Sequence, residues 1–133
     1  MNNKIIIAAV VVAVLFFIYV FFLKGPKATA EDVTPEKFSE LAKEQGAVIL
    51  DVRSAFEFGG DKIQGAQNIS YTSSGFKPYI EKLDKSKTYL VYCASGSRSV
   101  GAVSQMKNLG FEHVYNLRGG ISQWKSDNMP VVR

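Results

Sequence analysis

The sequence predicts an α/β protein: a small, mostly parallel β-sheet flanked by helices on both faces and preceded by one transmembrane helix. Two patterns indicate this fold class. An uninterrupted apolar run opens the chain, and short apolar runs then alternate with amphipathic stretches as far as its end. Alternating strands and helices are typical of a parallel sheet whose strands are joined by right-handed helical crossovers.

The apolar run at residues 5–23 has no charged side chain. A helix of this length extends roughly 28 Å, close to the roughly 30 Å hydrocarbon core of a bilayer. Lys4 precedes the run, and a Lys-Gly-Pro-Lys sequence follows it at residues 24–27. The Gly-Pro pair is expected to end the helix, and the lysines are expected to lie among lipid headgroups.

This pattern divides the chain into four parts. We expect residues 1–4 to form a tail, residues 5–23 a transmembrane helix or signal-anchor, residues 24–32 a linker and residues 33–133 the folded domain. The short tail favours a signal-anchor that leaves the domain outside the cytoplasm, on the periplasmic side. The alternative is a secreted or periplasmic protein cleaved after Ala30, although the run is longer than the usual core of a signal peptide.

The charge of the chain follows the same division. The 16 basic and 12 acidic residues give a net charge of +4, but three of the lysines flank the apolar run. Residues 31–133 keep 13 basic and 12 acidic residues and are nearly neutral. This balance argues against a nucleic-acid partner. A single cysteine and a single histidine exclude an internal disulfide and argue against a metal site.

Four helices and three strands are expected in the domain. Thr34 is a suitable N-cap for the first helix, and Gly46 is expected to end it. Residues 47–52 and 88–92 predict strands buried on both faces, and residues 113–117 predict a third. The helices are marked by apolar residues three or four positions apart: Phe38, Leu41 and Ala42; Phe76, Ile80 and Leu83; Val100, Val103, Met106 and Leu109; Ile121 and Trp124.

The candidate site follows the second of these strands. Cys93 lies at its carboxyl end, directly before a helix, which is the edge where open α/β sheets bind ligands. The loop after it is Ala94, Ser95, Gly96, Ser97, Arg98 and Ser99. Small residues ahead of a helix allow several backbone N–H groups to converge on an anion. The helix dipole and Arg98 favour a thiolate, so a pKa below that of a free thiol is expected for Cys93.

A second interpretation of Cys93 remains open at this point, because a lone cysteine is commonly a small buried hydrophobic residue. Arg98 likewise has the alternative of a solvent-exposed surface charge. The Gly/Ser loop and the neighbouring cation favour the reactive interpretation.

An ordered set of motifs resembles the rhodanese family, single-domain sulfurtransferases, from about residue 33 to 132. The motifs are Asp51-Val52-Arg53 with Glu57-Phe58, Ile63-x-Gly65-Ala66-x-Asn68-Ile69, the loop from Cys93 to Ser99, Leu109-Gly110-Phe111, Val114-Tyr115-Asn116-Leu117, Gly119-Gly120-Ile121 and Trp124. Each motif is weak alone, but the complete ordered set is specific.

The resemblance implies a function and a partner set. Cys93 would be the nucleophile that takes sulfane sulfur from thiosulfate, a persulfide or a polysulfide and passes it to a thiol or thioredoxin-like acceptor. Loop amides from Ala94 to Ser99 would hold the persulfide, and Arg98 would stabilise the anionic donor. Neither a metal nor an organic cofactor is implied. Arg53 and Glu57 are expected to form a supporting ion pair, with Asp51 assisting.

Two departures from the family pattern affect these expectations. The family shows Gly-His before the residue that is Ile63 here, whereas this chain has Asp61-Lys62. The loop also carries a single cation, Arg98, which predicts that thiosulfate is a poorer donor than a persulfide or polysulfide.

Two other classes of function compete with this one. A phosphatase or arsenate reductase would need five residues between cysteine and arginine, but only four separate Cys93 from Arg98. A non-catalytic, membrane-tethered module that carries a persulfide or docks a partner stays open, since a fold alone does not fix a function.

Overall fold

The computed structural model describes residues 2–23 and 29–133. The apolar run forms helix α1 (Asn3–Leu23), whose mean hydropathy is 3.2 and whose side chains are not buried against the domain. This helix is long and apolar enough to cross a membrane or to act as a signal sequence. The expected helix end at Gly25-Pro26, with Lys24, Lys27 and Ala28, lies outside the described residues.

The domain has five strands and five helices within its described part. The strands are β1 (Thr29–Val33), β2 (Val48–Asp51), β3 (Gln67–Asn68), β4 (Thr88–Tyr92) and β5 (His113–Leu117). The helices are α2 (Pro35–Ala42), α3 (Ala55–Phe58), α4 (Phe76–Glu81), α5 (Ser97–Asn108) and α6 (Gly120–Ser126).

All strand pairs of the sheet are parallel, in the order β1-β5-β4-β2-β3. Helices cover both faces, which confirms the predicted fold class. On one face α4 and α5 pack on Tyr89 and Val91 of β4. On the other face Phe38 of α2 and Trp124 of α6 pack on the alternate β4 residues, Leu90 and Tyr92. Strand β4 is therefore buried on both faces, as its continuous apolar run predicts.

The domain boundary differs from the predicted one. Residues 29–32, expected in the linker, belong to β1, which pairs with β5 from Thr29 to Val33 at the sheet edge. This strand has no apolar run to reveal it, because its sequence is Thr-Ala-Glu-Asp-Val. Cleavage after Ala30 would fall inside the strand.

Several other elements differ from expectation. The one-turn helix α3 and the two-residue strand β3 have no periodicity that the sequence analysis could detect. Helix α2 begins at its predicted cap, where the Thr34 hydroxyl accepts a hydrogen bond from Lys37 N at 3.3 Å, but it ends before Gly46. Val100, expected on the inner face of α5, is half exposed.

Two adjacent central strands position the candidate site. β2 and β4 pair in register through Asp51 and Tyr92, so both strands end at the same edge of the sheet. The chain after β2 leads through Arg53 into α3, and the chain after β4 leads through Cys93 into α5. Residues more than forty positions apart therefore meet at this edge.

Candidate active site around Cys93

Cys93 lies directly after β4 and is fully buried. Its Sγ accepts a hydrogen bond from the backbone N–H of Gly96 at 3.0 Å. The hydroxyl of Ser99 lies 3.3 Å from the same sulfur and 3.1 Å from the carbonyl oxygen of Gly96. The thiol therefore sits within its own loop, facing donors from the first turn of α5.

Gly96 gives the loop its shape. Its φ is +108°, a conformation that side-chain-bearing residues rarely adopt, and it directly precedes the first residue of α5. This turn directs the amide at the start of the helix toward the sulfur, where the positive end of the helix dipole favours an anion. The predicted cradle is thus present in the geometry.

Opposing effects act on the pKa of Cys93. Burial raises it, because a thiolate is poorly solvated there. Hydrogen bonds from the Ser99 hydroxyl and from the backbone N–H groups of Ser99, Gly96 and Ser95 lower it by stabilising the thiolate, and together they outweigh burial. The net pKa lies below the usual value of a thiol, which agrees in direction with the sequence-based expectation.

Helix α6 holds the loop from the other side. The backbone N–H of Ile121 donates to the Cys93 carbonyl oxygen at 2.9 Å, and that of Ser122 donates to the Ala94 carbonyl oxygen at 3.0 Å. Gly120, at a φ of +62°, lies so close to these carbonyls that a Cβ atom would collide with them. The Gly119-Gly120-Ile121 motif therefore fastens the Cys93 loop to α6.

Arg98 pairs with Glu57 of α3. Its two terminal nitrogens lie 2.7 and 3.0 Å from the two carboxylate oxygens of Glu57, and each side chain is about one-third exposed (31% and 32%). The pKa of Glu57 falls to about 2, mainly because of the hydrogen bonds from Arg98. This pairing joins the loop after β4 to the helix after β2.

The expected ion pair between Arg53 and Glu57 is wrong. Arg53 pairs with Asp51, two residues earlier, through Nε and Nη2, at 2.7 to 3.1 Å from the two carboxylate oxygens. Its Nη2 also donates to the carbonyl oxygen of Asp61 at 2.9 Å. The pair is almost fully buried, and Asn68 donates to the backbone carbonyl oxygens of both Asp51 and Arg53.

Asp61 and Lys62, which stand where the family pattern has Gly-His, both contact the C-terminal part of the chain. The Asp61 carboxylate accepts from Lys125 of α6 and from Arg133, at 3.1 and 2.7 Å. The backbone of Lys62 exchanges two hydrogen bonds with Val132, both at 2.9 Å. This turn is therefore fastened to the C-terminal segment by its own charges and backbone.

The other predicted loop residues are spread around the rim. Ser95 and Ser97 are exposed, Ala94 and Arg98 are half-buried, and the buried hydroxyl next to the sulfur is that of Ser99. Ser54, which is not among the predicted site residues, forms a capping box with Glu57 and so fixes the partner of Arg98. The Ser-x-x-Glu pattern at the start of α3 is the signal for it.

Comparisons with known proteins agree with this geometry. The rhodanese-like domain family matches residues 34–127, and the chain belongs to that family. A thiosulfate sulfurtransferase GlpE of Coxiella burnetii is 37% identical over 87 residues, covering 65% of this chain and 79% of that protein. An uncharacterised protein of Synechocystis sp., slr1261, is 30% identical over 101 residues; these cover 76% of this chain and 55% of that protein.

Among solved structures, a rhodanese-related protein from Thermoplasma volcanium superposes with a TM-score of 0.68 at 32% identity. The match covers 77% of this chain and 97% of that protein. The likeness thus extends over nearly the whole of a protein of this family.

Proposed function

We propose that this domain is a sulfurtransferase that carries sulfane sulfur as a persulfide on Cys93. The observation that carries the proposal is the convergence of the Gly96 amide and the Ser99 hydroxyl on the sulfur, in a turn that lowers the thiol pKa. The naming of relatives as thiosulfate sulfurtransferases supports the same chemistry.

The proposed reaction has two transfers, each balanced in atoms and charge. In the first, the Cys93 thiolate attacks the outer sulfur of a donor; with thiosulfate, the S–S bond to the sulfonate breaks, and sulfite leaves with the bonding electrons. In the second, an acceptor thiolate attacks the outer sulfur of the Cys93 persulfide, forms its own persulfide and releases the Cys93 thiolate. Covalent catalysis divides one difficult transfer into two easier ones.

The surrounding residues have distinct proposed roles. The Gly96 amide and the Ser99 hydroxyl stabilise the negative sulfur, as donors in an oxyanion hole stabilise developing charge. Ala94, Ser95 and Ser97 shape the rim through which donor and acceptor enter. Asp51 and Arg53 support the turn beside the site. Only four residues separate Cys93 from Arg98, which argues against a phosphatase, because five are needed for a loop large enough to hold a tetrahedral anion.

The N-terminal helix suggests where the reaction takes place. We propose that α1 anchors the protein in a membrane, with the domain on the periplasmic side. The acceptor is then a thiol or a thioredoxin-like protein on that side. Protease added to intact cells whose outer membrane is permeabilised should digest the domain; protection until the inner membrane is broken would place the domain in the cytoplasm.

The deciding experiment for the chemistry is mass spectrometry of the full chain after incubation with thiosulfate or with a polysulfide. We expect a gain of one sulfur atom, which maps to Cys93 because it is the only cysteine. Cys93→Ser, in which an oxygen replaces the sulfur, is the matched control and should gain none. No sulfur uptake from either donor would exclude the proposed activity. Uptake without release to any thiol would instead support the non-catalytic carrier.

A further inference from the structure

The charge state of the loop around Cys93 is set by a residue outside that loop. Arg98 is the only cationic residue between Cys93 and Ser99, and both of its terminal nitrogens are engaged by the Glu57 carboxylate. A guanidinium that makes a two-point contact with a carboxylate keeps three of its five N–H groups, but its positive charge is offset by the carboxylate. The rim of the site therefore carries no net charge, although it contains an arginine.

Glu57 is held in place independently of Arg98. Its Oε1 also accepts hydrogen bonds from the hydroxyl of Ser54 at 3.0 Å and from the backbone N–H of Ser54 at 3.3 Å. The Ser54 hydroxyl in turn accepts from the backbone N–H of Glu57 at 3.2 Å, completing a capping box. Because the carboxylate is fixed to the start of α3, it does not need Arg98 to stay where it is.

We infer that Glu57 is a specificity-determining residue that acts through Arg98 and selects against dianionic sulfur donors. This inference rests on the proposed sulfurtransferase function. Thiosulfate brings two negative charges toward a thiolate, and a neutralised rim does nothing to offset that repulsion. An alkyl persulfide brings a single negative charge and is repelled less, whereas an inorganic polysulfide is itself a dianion. The loop has one cation, Arg98, and its charge is neutralised. The attraction of the loop for thiosulfate is therefore weaker than its sequence indicates.

The pairing also resists ordinary changes of pH. With the pKa of Glu57 near 2, the carboxylate stays ionised at neutral and mildly acidic pH. Protonation therefore does not release Arg98, and only a substitution or a competing ligand does.

Glu57→Gln is the test, because the amide oxygen still caps Ser54 while the charge is lost. We expect the ratio of kcat/KM for thiosulfate to kcat/KM for an alkyl persulfide to rise by on the order of tenfold, the effect of one freed charge on a dianion. The matched control is Glu44→Gln, which changes the net charge equally in the exposed turn after α2 and should leave the ratio unchanged. Adding Arg98→Gln to Glu57→Gln should abolish the gain.

Ionic strength gives a second measurement on the unaltered protein. Without a free cation, its kcat/KM for thiosulfate should stay level or rise with salt, since screening weakens repulsion between two negative groups. In Glu57→Gln the same quantity should fall with salt.

Three outcomes overturn the inference while leaving the proposed function standing. One is an unchanged donor ratio in a Glu57→Gln protein that accepts sulfur from the alkyl persulfide. Another is a gain that survives in the double variant, since the effect would not act through Arg98. The third is a thiosulfate rate that falls with salt in the unaltered protein. Absence of sulfur uptake from every donor would instead overturn the function itself.

Discussion

Two of the domain's arginine–carboxylate pairs involve the segments that follow β2 and β4, and they differ in almost every physical respect. Arg53 and Asp51 are two positions apart, and their side chains are 7% and 0% exposed. Arg98 and Glu57 are 41 positions apart and about one-third exposed. The first pair is part of the scaffold, whereas the second can be altered without opening the core.

The buried pair has more partners than the exposed one. The Asp51 carboxylate accepts from the backbone N–H of Arg53 as well as from its side chain. The guanidinium of Arg53 lies 5.7 Å from the ring centre of Tyr92 and donates to the Asp61 carbonyl oxygen. A buried ion pair offsets its loss of hydration only when such additional contacts are present. The surroundings of Arg53 meet that requirement.

Breaking the buried pair should have the largest effect on stability. Asp51→Asn leaves the Arg53 charge buried without its counter-ion, and this should lower the free energy of unfolding by about 3–5 kcal/mol. Urea denaturation monitored by circular dichroism measures the change. A loss below about 1 kcal/mol would mean that Arg53 reaches solvent when its partner is removed.

Breaking the exposed pair should have a much smaller effect on stability. Arg98→Gln should change the free energy of unfolding by under about 1 kcal/mol. Solvent screens both charges, and the side chains regain the conformational freedom that the ion pair restricts. The same urea experiment applies. A loss as large as that of Asp51→Asn would show that the exposed pair stabilises the fold as much as the buried pair does.

Acid should remove the stabilisation that ionised Glu57 contributes to the exposed pair. The pKa of Glu57 falls to about 2 in the folded protein from an ordinary value of 4.5. The resulting stabilisation is fully present above pH 4.5 and is lost as the pH falls toward 2. The stability difference between the unaltered protein and Glu57→Gln should therefore shrink over that range. A difference that is constant from neutral pH down to pH 2 would contradict the lowered pKa.

The predictability of the fold depended on how much apolar sequence each element contains. Strands β4 and β5 were placed at their observed bounds, and β2 nearly so, because buried strands require apolar side chains. β1 lies at the sheet edge and carries Glu31 and Asp32, so no local pattern distinguishes it from a linker. Helix α3 is a single turn, defined by a capping box rather than by periodicity.

The candidate site also contains parts that the sequence predicts and parts that it does not. Cys93 and its loop were identified from adjacent residues, because one strand end and one helix start define them. The partner of Arg98 was not identified, since Glu57 reaches it only through the pairing of β2 with β4. Both Asp51 and Glu57 lie near Arg53 in the sequence, and burial decides between them: Asp51 is buried like Arg53, whereas Glu57 is about one-third exposed.

The two hydrogen bonds from α6 to the carbonyls of Cys93 and Ala94 divide the support of this loop between two later parts of the chain. The Gly96 amide and the Ser99 hydroxyl, at the start of α5, face the sulfur itself. Ile121 and Ser122, 28 positions after the residues they contact, hold only the backbone that carries it. A chain truncated before α6 therefore keeps the groups that contact the sulfur and lacks the two hydrogen bonds that fix the backbone beneath them.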